Sequence, residues 1–88
     1  MKPSYARHRS DGNKAGIRDA LLAVGASVYE SDWVDLVVGY RRRTYLIEVK
    51  TKTGKLNPSQ QELFDTWRGH YSICRSPDDA LRVIGATK

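Results

Sequence analysis

The sequence is short of most devices that hold small chains together from outside a hydrophobic core. Its one cysteine, Cys74, excludes an internal disulfide, and its alternation with Tyr71 and Ile73 reads as a packed thiol in a strand. The two histidines, His8 and His70, stand without ligand spacing, which argues against zinc. No apolar stretch approaches the roughly 20 residues of a membrane span, and Met1–Ser10 lacks the apolar centre of a signal peptide. A cytoplasmic location with no membrane partner is therefore expected. Aromatic residues make up only 9% of the chain and the tyrosines fall in strands, which disfavours a general RNA-binding module built on base stacking. Neither repeats nor Gly/Ser linkers divide the 88 residues, so they make one domain. A domain of this size buries only about 60 to 65% of its unfolded surface, and oligomerisation would help it.

Acidic residues are outnumbered: 15 Lys and Arg stand against 10 Asp and Glu, a net charge of +5 that favours a polyanionic partner, most commonly nucleic acid. The excess is clustered. Lys2, Arg7 and Arg9 belong to a flexible basic arm over residues 1–10, ahead of a folded domain over 11–88. Arg41, Arg42 and Arg43 occupy a turn, where solvation explains them as well as phosphate contact does. Lys52 and Lys55 lie in a loop leaving a strand, a better place for phosphate contacts.

Periodicity predicts a helix over 13–24, with Ile17, Ala20, Leu21 and Val24 on one face and Gly25 as its stop. A short strand over 26–30 precedes a hairpin made by Leu36–Val38 and Tyr45–Val49. Asn57-Pro58-Ser59-Gln60 opens a second helix through a capping pair, with Leu63, Phe64 and Trp67 as its apolar stripe. A fourth strand over 71–74 and a last helix from Ser76-Pro77 to Ile84 complete the chain. The order predicts a small α/β fold with helices on both sides of the sheet.

The hairpin carries the chemistry. If its turn centres between Arg41 and Arg42, Asp35 falls opposite Glu48 and Lys50 projects from the same face. Two carboxylates this close raise each other's pKa and destabilise the fold unless a cation sits between them. Asp35, Glu48 and the Val49 carbonyl suit Mg²⁺ or Mn²⁺, which take oxygen ligands and keep waters and phosphate oxygens besides. Lys50 would orient a water or neutralise charge developing on phosphorus, and the chemistry this suits is phosphodiester hydrolysis. The plainer reading of Asp35 with Lys50 is a surface ion pair worth about 0 to 1 kcal/mol. Gln60 has two roles open to it, the helix cap and orientation of a water or phosphate oxygen.

Asp35, then Glu48-Val49-Lys50, then Gln60 in the following helix, in an αβββαβ order, resembles the PD-(D/E)XK nuclease superfamily. Within it the chain is similar to the small stand-alone VRR-NUC proteins of phages and bacteria, over residues 11–85. The resemblance implies a restriction-endonuclease-like core. It also implies a Mg²⁺- or Mn²⁺-dependent endonuclease of branched DNA, resolving four-way (Holliday) junctions as a homodimer. Asp35 and Glu48 become metal ligands, Lys50 the catalytic lysine, and Gln60 a supporting residue. Two positions depart from the family pattern. Val34 replaces a proline, and Gly16 stands where members carry a metal-binding glutamate in the first helix. Asn13, closer to the inward face, and Asp19, one turn along, are the possible substitutes. Without that acid, the alternative is a catalytically weakened branched-DNA-binding subunit that recruits or regulates a partner.

Overall fold

Seven elements follow in the expected order: α1 (Ser4–Ala23), β1 (Ser27–Glu30), β2 (Leu36–Tyr40), β3 (Arg43–Val49), α2 (Pro58–Thr66), β4 (His70–Cys74) and α3 (Pro77–Val83). The computed structural model describes the backbone of residues 4–86 and the side chains of residues 13–86. The strands form one sheet in the order β1-β2-β3-β4. The first three are antiparallel and β4 runs parallel to β3, so the sheet is mixed.

The hairpin register is the one expected. Tyr40 pairs with Arg43 and Leu36 with Ile47, which brings Asp35 to the level of Glu48 at the next step of the ladder. The turn residues Arg41 and Arg42 have φ of 53° and 68°. Positive φ at both central positions matches the right-handed twist of a two-residue hairpin, but the usual residues there are Asn and Gly. Two arginines in this region cost about 1 to 2 kcal/mol each.

Strand alternation separates two chemically different faces. On one, Leu36 and Val38 of β2, Tyr45, Ile47 and Val49 of β3 and Cys74 of β4 pack against Ile17 and Leu21 of α1 and Ala80 and Ile84 of α3. Each large aliphatic buried here contributes about 1.5 to 3 kcal/mol. The other face carries Asp35, Glu48 and Tyr71, and α2 lies over it, joined through Gln60 and through Phe64, whose ring meets Tyr71 edge-on at 5.6 Å.

Two expectations are corrected here. No residue of α2 is buried, and the stripe of Phe64 and Trp67 is 41% and 43% exposed. The sheet face beneath α2 sets carboxylates and a phenol beside the buried Leu46, and the contacts that tie the helix to it include the Gln60 hydrogen bonds and the Phe64–Tyr71 ring edge. The backbone of α1 begins at Ser4 and not near Asn13, so residues 4–10, read as an arm, continue the helix. Gly12 weakens a helix by only about 1 kcal/mol and does not end one.

The turn supplies a test of stability. Replacing Arg41 and Arg42 together with Asn and Gly is expected to raise stability by about 1 to 2 kcal/mol, seen as a higher urea midpoint at unchanged slope. An unchanged midpoint would show that the two arginines carry no backbone strain.

Candidate active site

Glu48 lies in β3 between β2 and β4 and is only 1% exposed, the one buried charged side chain among the described residues. Its surroundings satisfy it. Tyr71 donates its hydroxyl to Oε2 at 3.0 Å, and Gln60 Nε2 donates to Oε1 at a long 3.4 Å. Asp35 is half-buried, close enough to interact directly with Glu48, and its Oδ2 accepts the Val49 backbone N–H at 2.8 Å. Burial, and then the neighbouring Asp35, push the Glu48 carboxyl up to about 7, against the opposing pull of the Tyr71 hydrogen bond and the Lys50 charge. Tyr71 is held well above its usual value, first by desolvation and then by the carboxylate it donates to.

Lys50 reaches Gln60. Its Nζ donates to Gln60 Oε1 at 2.8 Å, and the same oxygen accepts the Asn57 backbone N–H at 3.0 Å while the Gln60 N–H donates to Asn57 Oδ1 at 2.9 Å. Gln60 therefore fills both roles read from the sequence: it closes the capping box of α2 and connects Lys50 to Glu48. Asn13 on α1 donates Nδ2 to the Lys50 carbonyl at 2.9 Å, fixing the backbone where β3 ends.

The other expected residues fall elsewhere. Asp19 is exposed and paired with Arg18 at 3.4 Å, not with the acid pair. Gly16 is exposed, and a Cβ there would meet nothing within 4 Å. Arg41, Arg42 and Arg43 line a groove of about 390 Å³ with Ser27 and Tyr40 at the hairpin tip. Six strand positions, or about 20 Å, separate that tip from Asp35. Lys52 and Lys55 are exposed in the loop after Lys50. Arg7 and Arg9 lie outside the described side chains.

Sequence reasoning missed two residues. Tyr71 was placed in a strand, but its link to Glu48 depends on β4 pairing with β3, which no local signal fixes. Arg75 donates Nη1 to the carbonyls of Thr51 at 2.6 Å and Gly54 at 2.7 Å, holding the lysine loop against the start of α3. Only its place at the end of a strand, beside a helix cap, hinted at it.

Among the described residues no group of three His, Cys, Asp or Glu side chains is arranged around a metal position. The donors that are present, two adjacent carboxylates with no cation within ion-pair distance among the described residues, suit a hard dication that takes its remaining ligands from water and phosphate. No family profile, curated protein or solved structure matches the chain. Among the described residues, no helix is long and apolar enough to cross a membrane.

The raised Glu48 carboxyl has a pH signature. Below the usual glutamate value of 4.5 it is protonated folded or unfolded; between there and about 7 the folded state holds the extra proton. Stability in EDTA is therefore expected to fall as pH rises through that window. Glu48→Gln should flatten this dependence and raise stability at pH 8, whereas Tyr71→Phe should steepen it. Urea midpoints at pH 5 and pH 8 decide, and equal slopes for wild type and Glu48→Gln would mean that Glu48 ionises normally.

Proposed function

We propose that this protein is a metal-dependent, structure-selective DNA endonuclease of the PD-(D/E)XK type, similar to the stand-alone VRR-NUC proteins and acting on branched DNA as a homodimer. The observation that carries the reading is Glu48: a charged group 1% exposed, beside a second carboxylate and linked through one glutamine to a lysine. A carboxylate pair kept in such a place is costly to the fold, and cation binding would offset that cost. Mg²⁺ or Mn²⁺ held by Asp35, Glu48 and the Val49 carbonyl would polarise a phosphoryl oxygen and acidify a bound water. Lys50, kept in place by Gln60, is suited to neutralising charge on a phosphate oxygen or orienting the attacking water. Tyr71 and Gln60 act as positioning residues, holding the Glu48 carboxylate in one orientation. The net charge of +5, with Lys52, Lys55 and the arginine turn exposed, favours a nucleic-acid partner. A two-fold dimer would present two such sites to the two symmetry-related strands of a four-way junction.

The test is cleavage of a labelled four-way junction beside a linear duplex of the same sequence, in Mg²⁺, Mn²⁺ or EDTA. Wild type is expected to cut the junction only with metal. Glu48→Ala and Lys50→Ala should keep binding while cleavage drops by about 10² to 10⁴. Loss of binding with cleavage retained would sink these assignments.

The second reading, a weakened DNA-binding subunit, draws on α1. The helix contributes the Asn13 amide to the site's backbone, and Gly16, one turn further on, offers no carboxylate. Gly16→Glu has free space and a better helix former, so it should fold with stability raised by about 0.5 to 1 kcal/mol. If missing acid limits turnover, this variant binds Mn²⁺ more tightly by calorimetry and cuts faster. Unchanged affinity and rate would show that the site works without a helix carboxylate.

A further inference from the structure

The fold brings together two side chains that the sequence keeps 34 residues apart, since 67 minus 33 is 34: Trp33 and Trp67 meet with ring centroids 5.8 Å apart and planes inclined at 54°. Both are largely open to solvent, at 53% and 43% exposure. Their place in the chain ties them to the acid pair. Trp33 is two residues before Asp35, within about 7 Å of chain. Trp67 caps α2, whose first turn holds Gln60 and whose Phe64 touches Tyr71. The main chain at Trp33 is held by its backbone N–H, which donates to Ser31 Oγ at 3.2 Å, and by Val34, buried directly after it, while the Trp67 ring lies so close over Gly69 that a Cβ there would come within 2.8 Å of Nε1. The two tilted indoles touch each other and leave ring face uncovered.

We infer that Trp33 and Trp67 form a stacking platform for an unpaired nucleobase next to the acid pair Asp35 and Glu48, so that the site selects DNA with unstacked bases over intact duplex. This rests on the nuclease reading and gives it a substrate class. Indole faces take any base, and stacking of this kind needs no base-edge hydrogen bonds. The local charges agree with a base here and a backbone elsewhere. Asp32, next to Trp33, and Asp65, two residues before Trp67, disfavour a phosphate at the platform, with Arg68, exposed directly after Trp67, offsetting one of them, while Lys50, Lys52 and Lys55 offer a phosphate path where the chain leads into the opposite end of α2.

The chain contains only these two tryptophans, so emission excited beyond the tyrosine absorption band reports on the platform alone. Wild type in EDTA is titrated with a short oligothymidylate and with a blunt duplex of equal length, following tryptophan emission and, separately, the anisotropy of labelled DNA. Saturable quenching by the single strand, weaker with duplex, is expected. Trp33→Ala and Trp67→Ala should each weaken single-strand binding between about 5- and 100-fold, with Trp67→Phe retaining most of it. Gly69→Ala, which displaces the Trp67 ring without removing it, should weaken binding at an unchanged melting temperature. Binding by anisotropy with unaltered emission overturns the platform. So does self-association in sedimentation that Trp33→Ala abolishes, since the rings would then join two copies. Because the titration needs no metal, quenching without any junction cleavage sinks the nuclease reading alone, and junction cleavage unaffected by either Trp→Ala change sinks the platform alone.

Discussion

A single buried carboxylate organises the open side of this sheet. Glu48 sits in β3, flanked by strands on both sides, where an aliphatic residue would be the more stable choice. Around it the fold supplies a phenol from β4, an amide from α2 and a second carboxylate from the residue preceding β2. These groups come from three separate parts of the chain: the phenol and the amide satisfy the buried carboxyl, while Asp35, itself held by the Val49 N–H, sets a second acid beside it. The apolar face shows no such dependence, because its Ile, Leu and Val side chains need only volume and burial. The aliphatic core lies mainly on one face and the hydrogen-bonded acid cluster on the other.

The division explains why α2 is held lightly. With none of its residues buried, it depends on its own capping box, on Gln60 and on the Phe64–Tyr71 contact. Segments with few buried apolar groups open at low free energy. When α2 lifts, Lys50 loses its acceptor, Glu48 loses a donor and Trp67 parts from Trp33, so the acid pair, the lysine and the aromatic pair all respond to one local motion. Arg75 limits that motion from the other end by gripping the carbonyls of the loop that leads into α2.

What the sequence disclosed was what local rules determine. The hairpin register follows from counting outward from the turn, so the alignment of Asp35 with Glu48 was legible, as were the Asn57–Gln60 cap, the Ser76 cap and the order of all seven elements. Contacts made across the fold were not legible. Tyr71 reaches Glu48 only because β4 returns parallel to β3, and Trp33 meets Trp67 only because α2 crosses the face below which Asp35 lies. Helical spacing suggested that Phe64 and Trp67 point inward, yet spacing cannot tell that the surface they face is polar. The start of α1 was not legible because the apolar periodicity that marks the helix begins only at Ile17, while the backbone is helical from Ser4.

Cys74 gives the molecule an internal clock. The thiol is fully enclosed among core side chains, and that burial pushes it up to about 12, so in the closed state it is neither reachable nor nucleophilic. Its own carbonyl accepts the Lys50 N–H at 3.1 Å, and its Cα partner across the sheet is Val49. The sulfur lies under α1 and α3, on the face opposite Glu48, so a thiol reagent is admitted when that helical layer lifts from β4 or when β4 leaves the sheet. The rate at which this lone sulfur is alkylated therefore times the opening of the core beneath the Glu48-Val49-Lys50 segment, with no engineered probe and no second cysteine to confuse the reading.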